Sequence, residues 1–135
     1  MKVNKIDHIG IAVNSIDESL ELYRDLLEME FNGVEDIPAR LLKTAFIKAG
    51  ESKIELLQAT SSESTIAKFI EKKGQGIHHI ALNVTCIEEA MEKLIASGYR
   101  LLSDKPEPGA NGTKIVFLHP KSANGVLLEL VEGDH

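Results

Sequence analysis

Two histidines and two glutamates draw attention because each lies within an aliphatic segment. Glu55 and Glu129 are both flanked by aliphatic residues, and His8 and His79 lie in the largely aliphatic first strands of the two halves. Successive side chains of a β-strand point to opposite faces, so such a polar residue faces either solvent or a group that compensates it. Imidazole nitrogens and carboxylate oxygens suit divalent cations such as Co²⁺, Ni²⁺, Mn²⁺ or Zn²⁺. The four residues are therefore candidate metal ligands.

Each residue taken alone has a simpler interpretation. A single strand histidine is more often a core or surface residue than a ligand, and a glutamate between aliphatic residues usually faces solvent. The metal hypothesis depends on recurrence, because the chain contains both features twice. A duplication kept for purely structural reasons stays open as an alternative.

An internal repeat relates the two occurrences. A shift of 71 residues lays residues 6–9 over residues 77–80 and places His8 on His79. A shift of 74 residues places Glu55 on Glu129. If two equivalent halves pack together, the four side chains come from matching strands and can meet in one cleft.

The other histidines are predicted not to be ligands. His78 is the alternative to His79, but strand alternation sends the two side chains to opposite faces, and only His79 matches His8. His119 and His135 have no counterpart in the other half.

Each half has the hydrophobic pattern of a β-α-β-β-β module. In the first half we expect strands near residues 6–13, 29–33, 41–49 and 53–57, with a turn at 50–52, and in the second near 77–84, 99–103, 114–119 and 126–131. Asn124-Gly125 predicts a turn between the last two strands, because both residue types tolerate positive φ. A linker helix over about residues 63–73 joins the halves.

The first helix of each half has a predicted cap and a predicted buried face. Thr85 and Glu88 have the spacing of a capping box, and Asn14 and Asp17 repeat that spacing. Gly98 can take a left-handed C-cap. The side chains expected to face inward are Leu20, Tyr23, Leu26 and Leu27 in the first copy and Ile87, Ala90, Met91, Leu94 and Ile95 in the second.

The predicted fold class is α+β, with two tandem βαβββ modules forming one curved mixed sheet and a metal-binding cleft. The 135 residues and a hydrophobic fraction of 43% fit a single domain. Within it, module 1 covers about residues 5–58, the linker helix about 62–74 and module 2 about 76–132.

Bulk composition limits the function classes. A net charge of -6 argues against nonspecific binding to nucleic acid or anionic membranes and favours a small-molecule partner. The only cysteine, Cys86, cannot form an intrachain disulfide, so a cytoplasmic location is the default expectation. Neither a secretory signal nor a membrane-spanning stretch is predicted.

The repeat, the His, Glu, His, Glu set and the segments IDHIGIAV, KIELL, GIHHIALNV and HPKSANGVLLELVE resemble the vicinal oxygen chelate superfamily of glyoxalases, bleomycin resistance proteins and dioxygenases. Within it the chain most closely resembles the methylmalonyl-CoA epimerase family. The doublet His78-His79, the passage ESTIAKFIEKKGQGIHH and the segment from His119 to Gly125 carry that closer resemblance.

The resemblance implies a metal-dependent isomerase that interconverts (R)- and (S)-methylmalonyl-CoA at C2. It makes His8, Glu55, His79 and Glu129 the ligands of one divalent ion, Co²⁺ first, with Ni²⁺, Mn²⁺ or Zn²⁺ as alternatives. Family members use glutamine or glutamate at the position of Glu55. Four protein ligands leave two positions of an octahedral ion for chelating the substrate, which stabilises an enolate.

Inversion at C2 requires acid/base groups on both faces of that carbon, or one group that moves between them. Glu129 is the candidate for one, and Glu55 or a bound water for the second. Family members can carry a carboxylate on the strand corresponding to residues 41–49, where this chain has Lys43, Thr44 and Lys48 and no acid. A basic rim with Lys114 and Lys121 could bind the phosphates of coenzyme A, and ordinary solvated lysines are an equally good interpretation.

Three other functions compete. Glyoxalase I uses the same ligand set, but its last hairpin usually resembles DP-G, whereas this chain has HPKSANG. Drug-sequestering binding proteins of the superfamily tend to lack the full ligand set. A ring-cleaving dioxygenase needs two histidines and one carboxylate, which would make Glu55 superfluous. A homodimer is expected because related proteins are commonly dimers.

Overall fold

The computed structural model describes residues 1–134, and His135, one of the predicted non-ligands, lies outside the described residues. The strands are β1 (Val3–Ala12), β2 (Phe31–Ile37), β3 (Leu42–Ala49), β4 (Ser52–Ala59), β5 (Gly76–Val84), β6 (Glu107–Pro108), β7 (Lys114–Leu118) and β8 (Leu128–Glu132). The α-helices are α1 (Ile16–Leu20), α2 (Thr65–Lys73) and α3 (Ile87–Ala96). The chain divides into two compact units, His8–His78 and residues 1–7 with the segment from His79 onward.

The unit His8–His78 contains the strand order β2-β3-β4-β1. β1 runs parallel to β4, while β2, β3 and β4 are antiparallel neighbours, so the sheet is mixed. Ala49 faces Ser52 across a tight turn in which Gly50 has a φ of 65°, as the sequence predicts. One sheet face packs under α1 through Ala45, Ile47 and Leu56. On the other face, Leu42 and Leu57 pack against Ile66 of α2.

The second unit repeats this arrangement with the strand order β5-β8-β7-β6. β5 is parallel to β8, and β8, β7 and β6 are antiparallel. Asn124 and Gly125 both have positive φ, which confirms the predicted turn. The turn is part of a longer connection than a two-residue hairpin, because a 3-10 turn at Pro120–Ser122 precedes it. The α+β class and the two βαβββ modules are confirmed.

The first helix differs from the prediction at its C-terminal end. After Leu20 the chain continues as a π-helix over Glu21–Leu26. The i→i+5 spacing of this segment rotates later residues away from the sheet, so Leu26 is 70% and Leu27 57% exposed. Their predicted burial is therefore wrong. In the second module Ile95 is also exposed, whereas Ile87, Ala90 and Met91 are buried as expected.

The helix caps also differ from the predicted capping boxes. Ser15, not Asn14, caps α1, because its Oγ accepts a hydrogen bond from the amide of Glu18 at 3.2 Å. The hydroxyl of Thr85 instead accepts the amide of Lys2 at 2.9 Å, and the N-cap of α3 is Cys86, which makes no side-chain cap. The left-handed Gly98 is confirmed, with a φ of 85°.

The second strand of module 2 lies later in the chain than predicted. Within the expected range 99–103 only Leu101 makes a bridge, to Leu118, and the regular strand is β6. In the described part of the chain, helices are too short and too polar to cross a bilayer.

Candidate metal centre

His8 and Glu55 form a buried pair in the first unit. His8 lies on β1 and Glu55 on the parallel neighbour β4, where Glu55 is opposite Gly10. Because side chains alternate, His8 and Gly10 share a face, and Glu55 points to that same face. The His8 Nδ1 atom lies 3.1 Å from Glu55 Oε2, and the two residues are only 3% and 5% exposed.

His79 and Glu129 form the equivalent pair in the second unit. His79 lies on β5, and Glu129 on β8 is opposite Ala81, two residues beyond the histidine, which matches the register of the first pair. The His79 Nε2 atom lies 3.0 Å from Glu129 Oε1, and both residues are nearly fully buried. Each pair joins an imidazole nitrogen to a carboxylate oxygen in an apolar setting, which fits the donor set of a divalent cation.

A phenylalanine accompanies each pair and was missed in the sequence. Phe46 on β3 is opposite Glu55, and Phe117 on β7 is opposite Glu129. The rings of Phe117 and His79 meet edge to face, with centroids 5.7 Å apart. The signal was present, since Phe46 and Phe117 are related by the same shift of 71 residues in a chain with four phenylalanines.

Two other histidines have separate structural partners. His78 is half-buried, and its ring meets Phe69 edge to face with centroids 5.1 Å apart. The Nδ1 atom of His119 accepts a hydrogen bond from the amide of Lys121 at 3.1 Å and so begins the 3-10 turn. Neither residue forms part of the His-Glu pairs.

Asp7 is a buried carboxylate that the sequence did not single out. It is 1% exposed, and its Oδ2 atom accepts a hydrogen bond from Asn83 Nδ2 at 3.0 Å. Asn83 Nδ2 also donates to the carbonyl of Gly133 at 2.9 Å. The hydrogen bond from Asn83 therefore satisfies an oxygen of this buried carboxylate.

The predicted basic rim is already engaged at Lys114. Its ammonium donates to Glu88 Oε2 at 2.8 Å and lies 3.4 Å from Glu132 Oε2. The hydrogen bond from Lys114 lowers the pKa of Glu88, and the bond to Glu88 in turn raises the pKa of Lys114. In this structure Lys114 is therefore part of a surface ion pair with these two glutamates.

Comparison with known proteins identifies the family. The model of the glyoxalase/bleomycin resistance protein/dioxygenase superfamily matches residues 7–117. A protein named ethylmalonyl-CoA/methylmalonyl-CoA epimerase from Cereibacter sphaeroides is 38% identical over 95% of this chain and 97% of its own length. The chain belongs to the methylmalonyl-CoA epimerase family of this superfamily.

Three further proteins are similar to this chain along nearly its whole length. YqjC of Bacillus subtilis, to which no activity is assigned by name, is 41% identical over 96% of this chain and 93% of its own length. A solved methylmalonyl-CoA epimerase in complex with methylmalonyl-CoA and NH₄⁺ is 35% identical, with a TM-score of 0.93 over 98% of this chain and 96% of that one. A probable lactoylglutathione lyase from Synechocystis is 29% identical over 93% of this chain and 92% of its own length. The chain is thus an enzyme of the epimerase family.

Proposed function

We propose that this enzyme interconverts (R)- and (S)-methylmalonyl-CoA by moving the proton at C2. The observation that carries the proposal is the similarity to epimerases along nearly the whole chain, including one solved with methylmalonyl-CoA. The substrate suits the buried carboxylates described above, because C2 lies between a thioester and a carboxylate, and a carboxylate base can remove its proton where the charge of the enolate is stabilised.

His8, Glu55, His79 and Glu129 would hold one divalent cation, Co²⁺ before Ni²⁺, Mn²⁺ or Zn²⁺. Two features support this ligand set: the identical register of the two pairs and the burial of all four residues. When bound, the cation would polarise the thioester carbonyl and stabilise the negative charge of an enolate. The two imidazoles would supply neutral donors, and the two carboxylates would offset the charge of the ion.

The proton itself would be moved by carboxylates of this chain. Glu129 would take the C2 proton on one face of the substrate, and delivery to the other face would complete inversion. Glu55 is the second group predicted from the sequence. The nearby Phe46 and Phe117 would exclude water from the carboxylates and so strengthen electrostatic interactions in the site.

Glyoxalase I is the second candidate, favoured by the similarity to a probable lactoylglutathione lyase. It would use the same ligands and the same proton chemistry on a glutathione thiohemiacetal. The long connection at residues 119–127 argues for the epimerase, since the sequence HPKSANG there resembles epimerases.

The deciding experiment follows deuterium at C2. Metal-loaded protein is incubated with 2-methylmalonyl-CoA in D₂O, and in parallel with methylglyoxal and glutathione. We expect deuterium incorporation together with epimerisation, and no turnover of the thiohemiacetal. Turnover of the thiohemiacetal without exchange at C2 would move the assignment to glyoxalase I. If the protein showed neither activity, the result would favour a non-catalytic binding protein.

Three further predictions from the sequence belong to this proposal. The two modules and the linker helix would act as one vicinal-oxygen-chelate domain. The protein would form a homodimer, and it would work in the cytoplasm with an acyl-CoA substrate and no nucleic-acid partner. Gel filtration with light scattering measures the molecular mass in solution and so tests the predicted homodimer.

A further inference from the structure

The proposed epimerisation needs an acid/base group on each face of C2, and Glu55 and Glu129 are both proposed ligands of the same ion. With Glu129 serving one face, a carboxylate outside the ligand set can serve the other. Strand β3 cannot provide it. Phe46 is opposite Glu55 and so lies on the same sheet face, and the residue two positions earlier on that face is Thr44, which is buried but has no acidic proton to exchange at neutral pH.

The next strand outward carries a carboxylate on that face. Glu35 on β2 is directly opposite Thr44, and Thr44 is opposite Leu57 on β4. Directly opposed residues point to the same side of a sheet, so Glu35, Thr44 and Glu55 share one face. In a regular sheet, this offset puts the Cα atoms of Glu35 and Glu55 about 12 Å apart. Glu35 therefore lies on the same face as the proposed ligands of module 1 but is too far from Glu55 to be another ligand of the same ion.

A β-bulge gives Glu35 this direction. Phe31 is opposite Ile47 and Val34 is opposite Ala45, so the register shifts between Phe31 and Val34. Gly33, with a φ of 98°, lies within the shift. Without the extra residue, alternation from Phe31 would turn Glu35 to the face that packs under α1. Bulges beside active sites commonly redirect a side chain in this way.

The carboxylate of Glu35 is also poorly satisfied. Its Oε1 atom is buried and has no hydrogen-bond partner among the described residues. A buried oxygen without a partner destabilises the fold, so its presence calls for a reason outside folding. A proton-transfer group that bonds only to its substrate provides one.

We propose that Glu35 is the second acid/base of the epimerase reaction, an inference that rests on the proposed function. For one epimer, the Glu35 carboxylate takes the C2 proton and becomes a carboxylic acid while the C–H electron pair enters the enolate. A protonated Glu129 then delivers its proton to the opposite face and becomes a carboxylate. For the other epimer the roles reverse. Exchange with water resets both groups.

The second module offers a matched control at Glu107. Glu35 is opposite Thr44 and Glu107 is opposite Ile115, and Thr44 and Ile115 are related by the shift of 71 residues. Glu107 is exposed, whereas Glu35 is half-buried. Asp36, the exposed neighbour of Glu35 on β2, provides a second control.

The experiment compares Glu35→Gln, Glu107→Gln and Asp36→Asn with the unaltered protein, using each pure epimer of methylmalonyl-CoA in D₂O. In Glu35→Gln we expect inversion to fall by about 10²- to 10⁴-fold, the usual contribution of a general acid or base. One epimer should still exchange its C2 proton with retention of configuration, through Glu129, while the other should not. Both controls should invert at the normal rate.

Two readouts separate this role from a structural one. Metal content of Glu35→Gln should equal that of the unaltered protein, because Glu35 is not a proposed ligand. Its thermal midpoint should stay equal or rise, because glutamine keeps the size of the side chain and the buried Oε1 atom has no hydrogen bond to lose. Loss of function without loss of stability is what a group retained for catalysis predicts.

Each contrary result has one meaning. Normal inversion by Glu35→Gln would exclude Glu35 while leaving the epimerase function intact. Equal loss of exchange from both epimers, or loss of metal or of thermal stability, would also overturn the proposal and make Glu35 structural. Absence of exchange and inversion in the unaltered protein would instead reject the proposed function, and this inference with it.

Discussion

The faces that carry the two His-Glu pairs are alike at the pair and different beside it. In both modules the glutamate is opposite the residue two positions after the histidine, and a phenylalanine is opposite the glutamate. One strand further out, module 1 places the buried Thr44 next to Glu35. Module 2 places the apolar Ile115 next to the exposed Glu107.

This difference separates two requirements of the proposed reaction. Holding an ion is a symmetric task, and the duplicated chain has kept an imidazole and a carboxylate in both copies. Handling the two faces of a chiral carbon is asymmetric, because the groups on those faces need not match. The environment of Glu35 beside its buried neighbour Thr44 has no equivalent in module 2. The two residues lie on β2 and β3, so this difference between the modules does not alter the strands that carry the proposed ligands.

The largest expected effects come from replacing the glutamate of each His-Glu pair by the same residue. Glu55→Ala and Glu129→Ala should each weaken Co²⁺ binding by more than about 100-fold, since losing even an outer-shell partner of a ligand typically costs 10- to 100-fold. Calorimetric titration of the metal-free proteins measures this. The glutamine variants should then differ. Glu55→Gln keeps a neutral oxygen donor and should retain both C2 exchange and inversion. Glu129→Gln should lose inversion while remaining folded, and it should keep only the exchange of the one epimer whose C2 proton faces Glu35.

Circular dichroism of all four variants controls for misfolding. Unchanged Co²⁺ affinity in either alanine variant would remove that residue from the ligand set and reduce the symmetric site to one module. Inversion at the normal rate by Glu129→Gln would remove Glu129 from proton transfer while leaving its role as a ligand open to the titration.

The sequence predicted what depends on local alternation and recurrence. His8, Glu55, His79 and Glu129 could be found because each pair repeats and each residue interrupts an apolar strand. Glu35 could not be found, because the bulge before it breaks the period of two and only the pairing of β2 with β3 reveals its face.

The helix starts were missed for a similar reason. The amide of Ile16 donates to Gln58 Oε1 at 2.7 Å, and the amide of Ile87 donates to Glu132 Oε1 at 2.9 Å. Gln58 and Glu132 lie at matching positions of the repeat but far along the chain from the helices they satisfy. Local capping patterns cannot indicate acceptors that the last strand of the module supplies.

These two bonds give a prediction of intermediate size. Gln58→Ala and Glu132→Ala should each lower the free energy of unfolding by about 1 kcal/mol, as loss of a helix-capping acceptor usually does. Exchanging the residue types sharpens the comparison. Glu132→Gln should cost less than about 1 kcal/mol and Gln58→Glu should stabilise slightly, because a negative charge is favourable at a helix N-terminus. Urea unfolding of metal-free protein measures all four, and a large loss in only one module would show that the two bonds are not equivalent.

The smallest expected effect concerns the surface ion pair between Lys114 and Glu88 in the second module. The hydrogen bond from Lys114 lowers the pKa of Glu88 below its ordinary value of 4.5, so its stabilising effect is complete above that value and is lost as pH falls through the lowered pKa. The pair raises the pKa of Lys114 above its ordinary 10.5, so the same contribution disappears as pH rises through the raised value.

Lys114→Met should therefore be slightly less stable than the unaltered protein near neutral pH, and the difference should shrink toward acid. Lys43→Met, at the matching position of module 1, should show a weaker pH dependence because the neutral Gln58 stands there in place of Glu132. Urea unfolding at several pH values tests both variants, and a difference for Lys114→Met that stayed constant from neutral to strongly acidic pH would show that Lys114 stabilises the fold through its aliphatic stem rather than its charge.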